Sequence, residues 1–137
     1  MYNKILVPMA LDHGLSPQTL KVAETLCAEC GEIIALHVYE MPQGSVSAYL
    51  DKDDVKAGFE AAERQLVEKL AGLSRITPKI VKGHSARTII DFASENAIDC
   101  IVMGSHKPGL SDFFLGSTAS RVVRHAVCAV HVQRDQK

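Results

Sequence analysis

The feature that most restricts how this chain can fold is a set of short, unbroken apolar runs. "KILVPMA" (4–10), "EIIALHVY" (32–39), "DCIVMG" (99–104) and "CAVHVQ" (128–133) are apolar throughout instead of alternating with polar residues. A strand with one wet face alternates, whereas a continuous run of this length belongs to a strand covered on both sides. A further run, "TPKIVKG" (77–83), carries Pro78 and reads as an edge strand, because proline has no N–H to give to a second neighbour.

Helical patterns separate the runs. Ser16 and Pro17 open the first as N-cap and first helical residue; Leu20, Ala23, Cys27 and Cys30 keep one face apolar, and Gly31 supplies the stop. Residues 40–50 have no clean period and read as loop. From Asp51 a long amphipathic helix follows, with Val55, Phe59, Ala62, Leu66, Leu70 and Leu73 three or four apart. Ser85 caps a third helix with Ile89, Ile90 and Ala93 inward, and "STASRVVRHA" (117–126) is the fourth. The order β-α-β-α-β-α-β-α-β predicts an α/β fold, a parallel sheet with helices on both faces. With 137 residues and neither a repeat nor a linker, the chain reads as one domain, 1–137.

Composition excludes several classes. Apolar residues make up 47% and charged residues 23%, the profile of a folded chain, and the formal net charge of −1 offers no general attraction to nucleic acid. No apolar run approaches the roughly 18 residues of a membrane span, and the N-terminus lacks a basic segment with a cleavage-like site. A cytoplasmic location with neither nucleic acid nor membrane as partner is the expectation. The four cysteines, Cys27, Cys30, Cys100 and Cys128, fall in apolar helix or strand patterns and read as small buried apolar residues. The C-x-x-C of Cys27 and Cys30 lies at a helix end, not at an N-terminus, and nothing nearby completes a zinc set.

In an open parallel sheet, ligands sit beyond the C-terminal ends of the strands, where the strand order reverses. "MGSHKPGLSDFFLGST" (103–118) has the composition for such a site. Gly104 leaves room for close approach directly after a strand. Ser105, His106 and Lys107 offer donors, and Pro108-Gly109 makes a turn. Gly116, Ser117 and Thr118 open a helix whose first N–H groups favour an anion. Residue by residue these are a turn and a cap; taken together they predict a phosphate cradle built mostly of backbone. Neither a P-loop nor a dinucleotide fingerprint is present. The turn after the first strand, "PMALDHGLS", is the second candidate segment.

Along nearly its whole length the chain resembles the universal stress protein (UspA-like) superfamily, through "KILVPMA", "LHV" (36–38), "GHSARTIIDFA" (83–93) and "DCIVMGSHKPGLSDFFLGSTASRVVRHAVCAVHV". The resemblance implies a doubly wound five-stranded parallel sheet in the order 3-2-1-4-5. It also implies ATP binding through G-x2-G-x9-G-[ST], with or without magnesium, and a homodimer formed through the last strand. Gly104, Gly116 and Ser117 match the first Gly, the last Gly and the hydroxyl of that motif. Lys107 stands at its middle Gly, and the spacing to Gly116 is one residue short. A branch of the family with a basic residue and Pro after "SH", and "LGS" further on, resembles this variant and includes ATP binders.

The first strand of the family usually ends in an Asp that helps hold the nucleoside. Here Ala10 follows Pro8 and Met9, and Asp12 is the next carboxylate. Val38 matches the position whose backbone meets adenine. The resemblance thus implies an ATP or AMP site on Pro8, Met9, Ala10, Val38, Gly104, His106, Lys107, Gly109, Gly116, Ser117 and Thr118. The implied homodimer pairs Cys128, Ala129, Val130, His131 and Val132, with Ala129 at a usual Pro. If His131 faced its symmetry mate, acid pH would weaken that dimer; a solvent-facing imidazole is the equal alternative.

No nucleophile-base-acid set, metal cluster or carboxylate pair converges on one loop, so a dimeric stress-response binding module is favoured over an enzyme. Two alternatives stay open: a dimeric interaction module without nucleotide, favoured by Ala10 and Lys107, and a slow ATPase or autophosphorylating protein using His106, Ser117 or Thr118. His37 reads as a core or strand-end histidine and His13 as a turn residue. Arg124 and His125 suit the negative end of the last helix.

Overall fold

The computed structural model describes residues 1–11, 17–40, 52–105 and 115–134. The apolar runs become strands β1 (Tyr2–Pro8), β2 (Cys27–Tyr39), β3 (Ile76–Lys82), β4 (Cys100–Gly104) and β5 (Ala129–Gln133). Between them lie helices α1 (Pro17–Leu26), α2 (Lys52–Lys69), α3 (Ser85–Glu95) and α4 (Ser117–His125). The strands form one sheet in the order β3-β2-β1-β4-β5, with every pairing parallel. This is the α/β fold and strand order expected. Pro78 pairs with Ala35 on the edge strand β3, where its missing N–H breaks no second ladder.

Side-chain alternation along the central strands explains why their runs are apolar throughout. Ile5, Val7, Ile33, Ala35, Cys100 and Val102 point to one face, where Ala23 of α1 and Ala62 and Leu66 of α2 cover them. Leu6, Ile34, Leu36, Val38, Ile101 and Met103 point to the other, under Ile89 and Ala93 of α3 and Ala119 and Val122 of α4. Ile5, Leu6, Val7, Ile101 and Val102 are completely buried. Burying such a side chain contributes about 1.5–3 kcal/mol, so both faces must be apolar for the layers to close. At the N-terminal end of the sheet, the Asp99 carboxylate accepts the amides of Asn3 (2.8 Å) and Lys4 (3.0 Å), fastening β1 beside the start of β4.

Four local expectations are corrected. Helix α1 ends at Leu26, and Cys27 already pairs with Tyr2, so Cys27 and Cys30 lie at the start of β2, not at a helix end. Gly31 is therefore a strand residue, not a helix stop; a Cβ there would come within 2.6 Å of Cys27 Sγ. Cys30 is exposed and Cys128 half-buried, so only Cys27 and Cys100 are buried small apolar residues. His84, in extended conformation, is the N-cap of α3, and Ser85 is its first helical residue. The predicted Ser16 cap, the Asp51 helix start and all of the 40–50 loop beyond Glu40 fall outside the described residues. Among the described residues, no helix is long and apolar enough to cross a membrane.

Candidate functional site

Strand β1 leads by α1 to β2 on one side, and β4 leads by α4 to β5 on the other. The chain therefore turns away in opposite directions from two neighbouring strands. In sheets of this kind ligands usually sit beyond the C-terminal ends of two such strands.

The β4 side is held by main-chain bonds through Ser105. Its amide donates to the Gln133 carbonyl (3.0 Å), while its carbonyl accepts the Gly116 amide at 2.7 Å. These two bonds set the start of α4 beside the exits of β4 and β5. Gly116 is the N-cap of α4, with φ −61° and ψ 159°, and among the described residues no side chain caps it. Its carbonyl receives the Ser120 amide at 2.9 Å, the first bond of the helix. The amides of the first turn have no partner within the helix, and no acidic side chain lies in that turn. Arg124 and His125 do occupy the last turn, as expected.

Gly104 closes β4 and is exposed; among the described residues, a Cβ there would meet nothing within 4 Å. Its backbone φ lies outside the left-handed region, so neither conformation nor packing within those residues requires a glycine. A backbone open to close approach, beside an uncapped helix start, fits a bound anion.

The β1 side is fixed by β2. Met9 donates its amide to the Leu36 carbonyl at 2.9 Å, and its own carbonyl lies 2.9 Å from His37 Nδ1. A carbonyl only accepts, so Nδ1 carries the proton. His37 thus holds the exit of β1, a positioning part that the expectation of a core or strand-end histidine did not foresee. Pro8, Met9 and Ala10 line this exit, with the Met9 side chain turned into the core. Val38 sits near the end of β2, its side chain buried and its backbone paired with Val81.

The N-terminus of α3 offers a contrast. The Glu40 carboxylate, just past β2, accepts both the Ser85 amide (3.0 Å) and the Ser85 hydroxyl (2.7 Å). One helix start on this side of the sheet is satisfied by the protein's own anion; that of α4 begins at a bare glycine.

The structure therefore brings Pro8, Met9, Ala10, Val38, Gly104, Gly116, Ser117 and Thr118 to the C-terminal side of the sheet. His106, Lys107, Pro108 and Gly109 fall outside the described residues, as do Asp12 and His13. Sequence reasoning underrated Ser105, whose backbone joins three elements. The available signal was its place directly after a strand-ending glycine. Among the described residues, no cluster of three His, Cys, Asp or Glu side chains could hold a metal.

Strand β5 pairs with β4 on one side and forms the edge of the sheet. Val127, beside it, is 81% exposed, and Val123 on α4 is 46% exposed. His131 Nε2 lies 3.2 Å from Gln133 Oε1, a neighbour on its own strand.

The sequence profile described as "Universal stress protein family" matches residues 1–134. The chain belongs to that family. Universal stress protein G of Escherichia coli O157:H7 is 32% identical over 144 residues, spanning 98% of this chain and 100% of that protein. Among solved structures, the family fold is closely matched by the hypothetical protein MJ0577, at a TM-score of 0.79 and 26% identity, over 100% of this chain and 99% of that one. More distant universal stress proteins of the same fold include one solved in complex with cAMP (21% identity, TM-score 0.60, 98% of each chain). Another, from Arabidopsis thaliana, was solved with AMP bound (15% identity, TM-score 0.61, 98% of this chain and 92% of that one).

Proposed function

We propose that this universal stress protein binds an adenine nucleotide, ATP in the first place, and works as a homodimeric stress-response module. The observation that carries the reading is the Gly116 amide bonded to the Ser105 carbonyl at 2.7 Å. It sets an uncapped helix start beside the open backbone of Gly104. Phosphate oxygens suit that corner, since first-turn amides and the helix dipole both favour negative charge. The Ser117 and Thr118 hydroxyls add donors there. Pro8, Met9, Ala10 and the Val38 main chain would hold the nucleoside. His106, Lys107 and Gly109, between β4 and α4, complete the proposed set. Magnesium would enter with the phosphates, keeping several of its own waters. That the same fold carries cAMP in one member and AMP in another supports an adenine nucleotide.

The homodimer reading rests on β5. An edge strand bordered by exposed valines is a surface that proteins cover, and a second copy of the strand covers it with main-chain bonds.

Small molecules released from freshly purified protein and identified by mass spectrometry, with calorimetry against ATP and AMP, test the ligand. The expected result is bound adenine nucleotide, or a clear binding heat. No nucleotide and no heat at millimolar ATP would end the reading and leave the nucleotide-free interaction module. Lys107→Ala is expected to weaken binding by about 1 kcal/mol, the scale of a screened charge contact. Unchanged affinity would remove Lys107 from the site.

A further inference from the structure

The C-x-x-C at the start of β2 lies in a turn that its strand assignment conceals. Tyr2 pairs with Cys27 and Lys4 with Glu32. Strand β1 thus advances two residues while β2 advances five. Two extended residues cover about 7 Å, whereas five would cover about 17 Å. Ala28, Glu29 and Cys30 are therefore looped out of the ladder, and the chain doubles back between Cys27 and Glu32.

The contacts around Gly31 show the same doubling. A Cβ on Gly31 would lie 2.6 Å from Cys27 Sγ and 3.0 Å from the Ala28 carbonyl oxygen. The Cys27 sulfur is thus aimed at the residue next to Cys30, across the mouth of the turn. Arg75 pins that turn from outside, its Nη2 donating to the Ala28 carbonyl at 3.1 Å. Cys27 is buried, 9% exposed, whereas Cys30 is exposed. One thiol meets solvent and the other waits behind it, which is the arrangement of an attacking and a resolving cysteine.

We propose that Cys27 and Cys30 form a redox-active dithiol that closes to an intramolecular disulfide by exchange with low-molecular-weight disulfides. The Cys30 thiolate attacks one sulfur of a small disulfide RSSR, forming a mixed disulfide and expelling RS⁻. The Cys27 thiolate then attacks Cys30 Sγ, forming the Cys27–Cys30 bond and expelling the second RS⁻. Two protein thiols and one RSSR become one protein disulfide and two RSH, so electrons and protons balance. In a straight strand Cα atoms three residues apart stand about 10 Å apart, too far for a disulfide; the looped-out stretch between Cys27 and Glu32 shortens that separation. The pair lies at the opposite end of the sheet from the nucleotide corner, so the inference stands independently of that reading.

Tryptic peptides separate the cysteines. Cys27 and Cys30 share Val22–Lys52, whereas Cys100 and Cys128 fall in two others, Thr88–Arg121 and His125–Arg134. The folded protein is equilibrated with oxidised glutathione, alkylated, digested and weighed. The expected result is a Val22–Lys52 peptide lighter by two hydrogen atoms and closed to alkylation, restored by dithiothreitol. The free thiols of the native protein fall from four to two. Cys30→Ser, at an exposed position, should abolish the change, and Cys27→Ala should stop it at a stable glutathione adduct on Cys30. Wild-type protein that keeps both thiols open to alkylation would overturn the proposal. So would glutathione retained on wild-type Cys30, or a disulfide that includes Cys100 or Cys128.

Discussion

The Gly116 amide donates to the Ser105 carbonyl at 2.7 Å, so the exit of β4 and the start of α4 meet although a long segment separates them in sequence. The same Ser105 donates its amide to Gln133 on β5 at 3.0 Å. A helix N-terminus is thereby tied to the C-terminal side of the sheet by main-chain bonds through Ser105.

Gly116→Val should remove nucleotide binding while sparing the fold. Its φ of −61° and ψ of 159° are open to any residue, and replacing a glycine cap costs no more than about 1 kcal/mol. ATP affinity is expected to fall at least about tenfold, or about 1.4 kcal/mol, because the side chain fills space a phosphate needs. Gly104→Val should act likewise, since its Cβ would meet no described neighbour. Calorimetry beside thermal unfolding checks both. Unchanged affinity in folded Gly116→Val protein would remove α4 from the site.

His37→Phe should lose about 1 kcal/mol of stability with the bond to the Met9 carbonyl, and loosen the β1 exit. Nucleotide affinity is expected to drop several-fold, although His37 is assigned no direct contact. Urea unfolding and ligand titration of the same variant separate the two effects. A stability loss without any change in affinity would make His37 a fold residue only.

Glu40→Ala removes the acceptor of both the Ser85 amide and hydroxyl at the start of α3. The expected loss is about 1 kcal/mol, the scale of an N-cap. Hydrogen exchange of the first turn of α3 should rise, and that of α4 should not. Protection left unchanged in both helices would show that water replaces the carboxylate without cost.

Burial, with Cys128 and Asp99 nearby, pushes the Cys100 thiol up to about 11 from 9.0. The folded state therefore holds its proton more tightly than the unfolded chain. This contribution is fully present below pH 9 and is lost as pH rises towards 11, because the unfolded state ionises first. Wild-type stability should fall across that window by at most about 3 kcal/mol more than that of Cys100→Ala. Denaturant unfolding at several alkaline pH values measures the difference, and parallel curves would contradict it.

Val127→Lys places a charge on the exposed apolar border of β5 without touching the core. Sedimentation should show a homodimer for the wild-type protein and a shift to monomer for the variant. Monomer in both would refute the β5 interface.

The sequence by itself determined the layered fold. Continuous apolar runs separated by amphipathic segments have no other way to bury both strand faces, and Pro78 already marked β3 as an edge. It also placed Gly104 and Gly116 at a strand exit and a helix start. It misplaced the end of α1, because Cys27 and Cys30 sit at helical spacing and local propensity has no knowledge of Tyr2. Only the pairing of Tyr2 with Cys27 moves that stretch into β2 and loops out the residues between the two thiols. The Glu40 cap on Ser85, the His37 hold on Met9 and the Ser105 bridge were illegible for the same reason. Burial is written into each run of residues locally. A hydrogen bond between distant residues exists only once the sheet has set its register.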